Sequence, residues 1–349
     1  MPKKRTGRRN SAAVSLLDVA QAANVSTATV SRALNNSATV SEDLRRRILD
    51  IAQVTGYTPH AAARALASQK TTIIGAVIPS LENLNFSIGV AALQRRLDEK
   101  GFTLLLACSN YSQQEELKQV RVLVAQGVSG LMLVGRSHAP ELFELLESRK
   151  IPFISGWTLD RQRPYVGFDN YEIGRKLVNH LADLGHRDFG MIVQNVGVSD
   201  RAADRVAGIR DALRERQLEF KQEHFIQAPH RTLEGQIAFR ALMQRDRRPT
   251  AVICGTDIMA IGALAEAKQM NLVVPRDISI TGINDIEFSR FTSPALTTVA
   301  LPVDEIGSRA ADYLLGCLEG RSVPAQTLIP AELIVRESSG PAPQRPTHT

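Results

Sequence analysis

Residues 16–35 read LLDVAQAANVSTATVSRALN, and this stretch contains two short helical patterns joined by a tight turn. Each pattern has apolar residues three or four apart, the spacing that lines one face of a helix. These residues are Leu17, Ala20 and Ala23 in the first pattern and Val30, Ala33 and Leu34 in the second. Asn24 can adopt the left-handed conformation that a sharp turn requires, and Ser26 can cap the second helix. The stretch therefore predicts a helix-turn-helix.

The second helix of this motif begins with small polar and methyl-bearing side chains, followed by an arginine. Such side chains suit a helix that enters the major groove of DNA, where its first residues meet base edges and phosphates. The residues predicted to face the duplex are Thr27, Ala28, Thr29, Ser31 and Arg32. A pair of ordinary surface helices with an Ala/Ser/Thr-rich exterior is the alternative interpretation, and the residues that follow the motif favour the DNA-binding one.

A third helical pattern follows, on which the first two helices can pack. Ser41 is its predicted N-cap, Glu42 and Asp43 lie in its first turn, and Gly56 ends it. Its predicted buried stripe consists of Leu44, Ile48, Ile51 and Ala52. The helix also contains a run of three arginines, Arg45–Arg47, whose first two members are predicted on the solvent side. These arginines add positive charge to the predicted DNA-binding head, residues 15–59.

Charge is distributed unevenly along the chain. The sequence of 349 residues has a net charge of +6, whereas residues 1–70 contain eleven Lys/Arg and four Asp/Glu and carry +7. The rest of the chain is therefore almost neutral, which is typical of a phosphate-binding head on a neutral sensor body. Residues 1–14 are rich in Lys and Arg with almost no large apolar side chain, and are predicted to be a disordered basic arm.

Composition also argues against several classes of protein and site. The N-terminus lacks the apolar core of a signal peptide, and no apolar run approaches the length that spans a membrane, so a cytoplasmic protein without membrane contact is expected. Cys108, Cys254 and Cys317 lie far apart inside apolar patterns and are expected to be core residues. The seven histidines show no close ligand spacing, so no metal or other cofactor is expected.

Residues 60–71 are predicted to form a hinge helix after the head. Residues 60–69 read HAAARALASQ, a helix too short to be stable alone, so it should order only when something packs against it. Two copies related by a dimer axis would pack through their alanines in the DNA minor groove, with Leu66 as an apolar wedge. The predicted groove contacts are His60, Ala63 and Leu66. The alternative is an alanine-rich linker helix whose leucine touches the body.

From Thr72 onward, strand-like runs alternate with helical stretches, the signature of parallel sheets wrapped by helices. The first series is IIGAVIP, TLLLAC, GLMLVG and PFIS, and the second is DFGMIV, FIQA, TAVICG and ISITGI. Two doubly wound units fit this length, so a two-lobed α/β body is predicted. The predicted boundaries are 72–338 for the body, 72–168 and 299–325 for lobe 1, 169–296 and 326–338 for lobe 2, and 339–349 for a flexible tail.

Ligands of open parallel sheets bind beyond the carboxyl ends of the strands, so the predicted site is the cleft between the two lobes. The candidate residues near these ends are Ser80, Asn110, Arg136, Trp157, Phe168, Asp169, Arg201, Arg205, Thr256, Asp257 and Asn284. An aromatic face beside carboxylates and amides suits a polyol, and arginines favour an anionic group through charge-assisted bidentate bonds. Any one of these residues taken alone is equally consistent with a helix cap or a surface salt bridge.

Two other functional classes, an enzyme and a transport protein, are less favoured by the sequence. The sequence has no dinucleotide-binding glycine fingerprint, no phosphate-binding loop and no nucleophile elbow, so no enzymatic activity is expected. A solute-binding protein of a sugar transport system would share the two-lobed body, but the basic head and the missing export signal argue against it. A sugar-processing enzyme is less favoured still, because no convergent acid–base pair can be assembled.

The order of these parts resembles the LacI/GalR family of bacterial transcription regulators. The resemblance covers residues 16–337 and is carried by VSTATVSRALN, GYTPHAAARALAS, IIGAVIPSL, LGHRDFGMI, GTDIMAIGAL, VPRDISITGIND and SPALTTV. It implies a homodimer whose heads bind a near-palindromic operator and whose periplasmic-binding-protein-like bodies bind a small metabolite that controls operator affinity. A repressor is the expected activity.

The resemblance also implies roles for particular positions of this chain. These are base reading at Thr27, Ala28 and Thr29, the characteristic arginine at Arg32, the minor-groove leucine at Leu66, the effector-gripping arginine at Arg205, and cleft positions at 256–257 and 284–285. Sugar-binding members often have an aspartate where this chain has Asn284, which, beside Arg201 and Arg205, favours a sugar acid over a plain sugar. VGFDN at 166–170 is similar to the gluconate-repressor branch. No leucine heptad follows Glu337, so a dimer is expected rather than a tetramer.

Overall fold

The computed structural model describes residues 14–34, 39–57 and 71–344. The chain divides into two compact units, Met1–Thr71 and Thr72–Thr349. Almost all of the predicted basic arm and hinge helix lies outside the described residues. The same is true of three predicted groove contacts, His60, Ala63 and Leu66.

The first unit contains the three predicted helices, α1 Leu16–Ala23, α2 Thr27–Leu34 and α3 Glu42–Thr55. Their shared core consists of Val19, Ala20, Ala23, Val30, Ala33, Ile48 and Ala52. Asn24 has φ 56° at the end of α1, and the Thr29 amide donates to Ser26 Oγ at 3.1 Å, which confirms the predicted turn and cap. The guanidinium of Arg47 donates to the carbonyl of Ala23 and so ties α3 to the end of α1.

Three details of the head differ from the sequence predictions. Arg45, predicted on the solvent side of α3, is half-buried, with 28 % of its side chain exposed. Leu17 is 55 % exposed, and Val19 takes its place in the core. Residues three apart on a helix are displaced by 60°, so a stripe read at that spacing drifts off the buried face within two steps. Ser41 is the N-cap residue of α3, but its side chain makes no capping hydrogen bond. Glu42 and Asp43 lie in the first turn, as predicted, where the helix dipole favours acidic side chains.

The second unit is built from alternating strands and helices. Its strands are β1 Ile73–Ile78, β2 Thr103–Cys108, β3 Gly130–Val134, β4 Phe153–Gly156, β5 Tyr165–Gly167, β6 Phe189–Val193, β7 Phe225–Gln227, β8 Ala251–Cys254, β9 Ser279–Thr281, β10 Thr298–Ala300, β11 Gln326–Leu328 and β12 Glu332–Ile334. Its α-helices are α4 Leu84–Asp98, α5 Gln113–Ala125, α6 Pro140–Ser148, α7 Asn170–Asp183, α8 Asp200–Glu215, α9 Thr232–Met243, α10 Asp257–Gln269 and α11 Val303–Leu318. Short 3₁₀ turns lie at Gln222–His224 and Glu287–Arg290.

These elements form two lobes, each a parallel sheet between helices. Lobe 1 has the strand order β11-β5-β4-β3-β1-β2, and α11 returns from the end of the chain to pack on α4. Lobe 2 has the order β7-β6-β8-β9, covered by the helix pairs α7/α8 and α9/α10. The antiparallel pair β10/β12 joins the end of β9 through single bridges. The predicted two-lobed, doubly wound fold is confirmed.

The chain after α11 departs from the predicted boundaries. Strand β11 pairs in parallel with β5, with Gln326 opposite Tyr165, so residues 326–328 belong to lobe 1 and their assignment to lobe 2 is wrong. The beginning of the predicted flexible tail is also fastened to lobe 2. Ser339 is buried, and the Ala342 amide donates to the Leu184 carbonyl at 2.9 Å. Short polar side chains permit this because they exchange hydrogen bonds with the edge of the sheet.

A buried histidine links this C-terminal segment to lobe 2. His186 Nδ1 lies 2.9 Å from Thr250 Oγ1, and its Nε2 lies 3.0 Å from Ser279 Oγ and 3.1 Å from the Gly340 carbonyl oxygen. Burial lowers the pKa of His186 below its usual value of 6.5. The neutral imidazole is therefore the form that the folded protein favours.

We expect acidification to destabilise this unit because the lowered pKa of His186 opposes protonation in the folded state. The stability that the neutral ring contributes is present above pH 6.5 and is lost as the pH falls through that value toward the folded-state pKa. Differential scanning calorimetry between neutral and mildly acidic pH should show a falling Tm, by about 2–4 °C for each kcal/mol lost. His186→Gln should flatten this profile, and an unchanged profile would contradict the role of His186.

Within the part of the chain that the structure describes, no helix combines the length and the apolar character needed to cross a bilayer.

Candidate ligand cleft and DNA-reading helix

A small polar cavity lies between the two lobes, at the carboxyl ends of their strands. The residues that line it are Asn83, Asn85, Phe86, Tyr111, Trp157, Gln194, Ser199, Arg201, Arg205, Thr256 and Asn284. Five of them were among the candidate residues of the sequence, namely Trp157, Arg201, Arg205, Thr256 and Asn284. None of the described residues that line the cavity is an aspartate or a glutamate. Its two cations are Arg205 and Arg201, and Arg201 is paired with Asp200 just outside the lining.

Arg205 on α8 is the most deeply placed cation of the cleft. Its Nε donates to Asn170 Oδ1 at 2.9 Å, and its NH1 donates to the Gly255 carbonyl at 3.0 Å. Burial, together with the neighbouring charge of Arg201, lowers the pKa of Arg205 to about 10. Arg205 therefore remains a cation at neutral pH, and one face of its guanidinium fork is available to a bound anion.

Arg201 lies one helical turn before Arg205 and packs near the ring of Phe86. Its NH1 donates to Asp200 Oδ1 at 2.8 Å, and its guanidinium carbon lies 5.7 Å from the centre of the Phe86 ring. Phe86 in turn packs edge-to-face against Trp157, with ring centroids 5.3 Å apart. Trp157 is the only tryptophan of the sequence. An apolar floor of two aromatic rings thus lies beside the two cations.

Three polar atoms of the cavity wall are buried without a hydrogen-bond partner among the described residues. They are Trp157 Nε1, Thr256 Oγ1 and Asn284 Oδ1. A buried polar atom without a partner costs about 1–3 kcal/mol, so such atoms are rare unless a ligand or water satisfies them. The three atoms comprise one donor, one acceptor and one hydroxyl that can do either, which is the complement of a polyhydroxy compound.

Six candidate residues lie outside the cavity lining, three of them with evident structural roles. Asp257 is fully buried, and its carboxylate accepts from Ile286 N, Ser289 Oγ and Thr298 Oγ1 at 2.5–3.0 Å. Burial raises the pKa of Asp257, and these three bonds partly offset that effect. Asp169 caps α7, and Phe168 is buried in the core.

The other three lie at the rim or at the surface. Arg136 forms an ion pair with Asp204, Ser80 Oγ accepts from the Glu82 amide at 3.1 Å, and Asn110 is exposed in a turn with φ 51°. The carboxyl end of a strand brings a residue near the cleft, but it does not determine which way the side chain points. For this reason the strand-end rule selected more residues than the cavity contains.

Sequence reasoning missed six lining residues, which are Asn83, Asn85, Phe86, Tyr111, Gln194 and Ser199. Gln194 directly follows β6, so its place at the carboxyl end of a strand is a signal that the sequence does contain. Tyr111 lies three residues beyond β2 in a backbone turn with φ 60°, and Asn83 and Ser199 are the N-caps of α4 and α8. These residues reach the cleft through turns and caps, for which the sequence contained no strand signal.

In the first unit, α2 exposes the face that the sequence assigned to DNA. Thr27, Ala28 and Arg32 are exposed, and Thr29 and Ser31 are half-buried. Ser26 Oγ lies 2.9 Å from Thr29 Oγ1 and fixes the first turn of the helix. Val30 and Ala33 face the core, so the opposite side of a short helix is left free for a groove.

Each of the two units contains a segment that matches a known protein family. Residues 15–60 match the family model of bacterial regulatory proteins, lacI family, and residues 178–339 match that of the periplasmic binding protein-like domain. The HTH-type transcriptional repressor PurR of Salmonella arizonae is 32 % identical over 340 residues, which cover 94 % of this chain and 97 % of the relative.

Solved structures show the same likeness. The lac repressor dimer bound to operator and the anti-inducer ONPF superposes with a TM-score of 0.85 at 27 % identity, covering 94 % of this chain and 100 % of that one. The transcription regulator GntR from Chromobacterium violaceum has a TM-score of 0.73 at 29 % identity, covering 76 % and 99 %. With a relative above 30 % identity along nearly the whole chain, this protein belongs to the LacI/GalR family of bacterial transcription regulators.

Proposed function

We propose that this repressor binds a near-palindromic operator as a homodimer, and that a sugar acid of the gluconate type, bound between its lobes, controls its operator affinity. In this proposal the exposed side of α2 enters the major groove, with Thr27, Ala28 and Thr29 toward the bases and Arg32 toward a phosphate. The similar lac repressor dimer was solved with operator and a small molecule bound together, which supports the proposal that this protein binds both ligands at once.

The observation that carries this proposal is the composition of the cavity wall. Arg205, for which the described residues supply no carboxylate partner, and the neighbouring Arg201, which shares its charge with Asp200, favour a ligand with a negative group. The unpartnered Trp157, Thr256 and Asn284 atoms beside the Phe86 and Trp157 rings favour hydroxyls on an otherwise apolar skeleton. A linear or cyclic sugar acid combines these two features in one small molecule.

Operator and effector affinities are coupled in this proposal. If the ligand changes operator affinity by a given factor, operator DNA must change ligand affinity by the same factor. Titrations of ligand with and without operator therefore test the coupling independently of its sign. Equal ligand affinity in both titrations would contradict control of DNA binding by this cleft.

The deciding experiment compares matched ligands that differ in charge. D-gluconate and D-glucose are titrated into the full-length protein while the fluorescence of Trp157 is recorded, and Tm is measured at saturating concentration. We expect gluconate to raise the Tm by mass action, with a stabilisation of about 2.7 kcal/mol at a hundred times its Kd, and glucose to have a much smaller effect. A larger effect of glucose, or of neutral sugars in general, would contradict the assignment of an acid.

Operator binding is measured in parallel by fluorescence anisotropy on the promoter region upstream of the protein's own gene. Specific binding should exceed binding to scrambled duplex by at least about 10³-fold at physiological salt. Gluconate should shift this affinity in one direction, and glucose at the same concentration serves as the control.

A further inference from the structure

Two aspartates near the start of α8 in lobe 2 hold the strand end of β3 in lobe 1. The carboxylate of Asp204 accepts hydrogen bonds from both terminal nitrogens of Arg136, and the distance from Arg136 NH2 to Asp204 Oδ1 is 2.7 Å. This is the bidentate geometry of a strong ion pair. Both side chains are partly shielded, with 38 % of Arg136 and 24 % of Asp204 exposed. The pair crosses the cleft and is therefore made only when the lobes are close.

Asp200 makes a second and more deeply buried contact across the cleft. Its Oδ2 accepts from the backbone amides of Arg136 at 2.5 Å and Ser137 at 3.2 Å, both in lobe 1. Its Oδ1 accepts from Arg201 NH1 at 2.8 Å, within lobe 2. Burial by itself would raise the pKa of Asp200, but the charge of Arg201 and the amide of Arg136 outweigh it, and the pKa is lowered.

Gly135 allows this close approach. It has φ +90°, and a Cβ at this position would lie 2.3 Å from Arg201 NH1 and 2.7 Å from Asp200 Oδ2. The backbone of lobe 1 is thus in direct contact with the carboxylate and guanidinium of α8. Arg201 is aimed at the cavity by a carboxylate whose other oxygen is held by the opposite lobe.

The cavity behind these contacts is small. It contains about 20 Å³, whereas a single water needs about 10–15 Å³. A sugar acid therefore enters only if the lobes move apart, and the contacts of Asp200 and Asp204 must then be broken. The energy of these contacts sets part of the energy of opening.

We infer that Asp200, Asp204 and Arg136 form an interlobe latch that holds the cleft closed. Asp204 and Arg136 supply the ion pair of the latch, and Asp200 adds its contacts to the backbone amides of Arg136 and Ser137. The latch itself is independent of the ligand's identity, whereas its effect on ligand entry rests on the proposed function.

Trp157 provides a readout of closure that needs no ligand. It is the sole tryptophan of the sequence, it lines the cavity, and it is 1 % exposed. Acrylamide quenching of its fluorescence in the full-length protein therefore reports separation of the lobes. We expect Asp204→Ala and Arg136→Ala each to raise the quenching constant at least about twofold, because removal of one partner shifts the population toward the open form.

A conservative variant distinguishes the latch from general loosening of the fold. Asp204→Arg should show the strongest quenching, since two arginines then face each other. Asp204→Glu keeps a carboxylate opposite Arg136 and should leave the quenching close to that of the wild type. Equal quenching in Asp204→Glu and Asp204→Ala, with both proteins folded by circular dichroism, would overturn the latch.

A control variant is available on the same helix. Glu215 near the end of α8 forms a bidentate pair with Arg175 on α7 at 2.7 Å, wholly within lobe 2. Glu215→Gln should leave the quenching of Trp157 unchanged, and an increase equal to that of Asp204→Ala would also contradict the latch. If quenching behaves as expected while gluconate fails to bind any variant, the result supports the latch and contradicts the proposed effector.

Discussion

Arg205→Ala should abolish the response of operator binding to the effector while operator affinity without effector stays within about twofold of the wild type. The side chain is the buried cation of the cleft, and charge-assisted hydrogen bonds contribute about 1.5–3 kcal/mol each. We expect the Kd for gluconate, measured by isothermal titration calorimetry, to rise at least about 100-fold, equivalent to about 2.8 kcal/mol. A full response in this variant would show that Arg205 does not contact the effector.

The same substitution leaves Asn170 Oδ1 and the Gly255 carbonyl without their donor, so some loss of stability is also expected. Arg210→Ala is the matched control, because it removes an arginine from the same helix where the side chain packs over the Phe220 ring, 4.4 Å from its centre. Arg210→Ala should retain ligand affinity. Comparable loss of ligand affinity in both variants would indicate damage to α8 rather than loss of an anion contact.

Arg32→Glu should have the largest effect on DNA binding. Arg32 is exposed on α2, so reversing its charge should leave the head folded while placing a carboxylate against the phosphates. We expect operator affinity, measured by fluorescence anisotropy at fixed salt, to fall about 100-fold or more, since a good contact contributes about 1–3 kcal/mol and repulsion is added to its loss. Ligand-dependent stabilisation of the body should be unchanged.

Arg46→Glu tests whether that loss is specific to α2. Arg46 is exposed on α3 of the same unit, so both variants change the net charge of the head equally. A general electrostatic effect would weaken binding to the same degree in both. We expect Arg46→Glu to cost less than about tenfold, and equal losses would show that α2 is not the reading helix.

The fold was largely predictable because its signals are periodic and local. Runs such as IIGAVIP and TAVICG are apolar throughout, as strands of a parallel sheet buried on both faces must be, and each is followed by a helical pattern. One exception, β11, is three residues long and pairs with β5 some 160 residues earlier. No local pattern specifies such a long-range edge pairing.

The cleft was only partly predictable for a related reason. Arg201, Arg205, Trp157, Thr256 and Asn284 follow strands or start helices, where chain direction alone brings them to the cleft. Asp257 has the same sequence context, but its carboxylate accepts hydrogen bonds from three donors of the protein itself. Whether a polar side chain serves the ligand or the scaffold depends on its tertiary hydrogen bonds, which the sequence pattern does not contain.

The return of α11 and β11 to lobe 1 has a consequence for biogenesis. Lobe 2 is contiguous from α7 to β9, so its central sheet can assemble as soon as those residues leave the ribosome, whereas the sheet of lobe 1 lacks its edge strand until residue 328 has been synthesised. The apolar side of β5 and of α4 therefore stays uncovered until α11 and β11 have been synthesised. Nascent chains stalled before residue 303 should consequently be the species that chaperones retain.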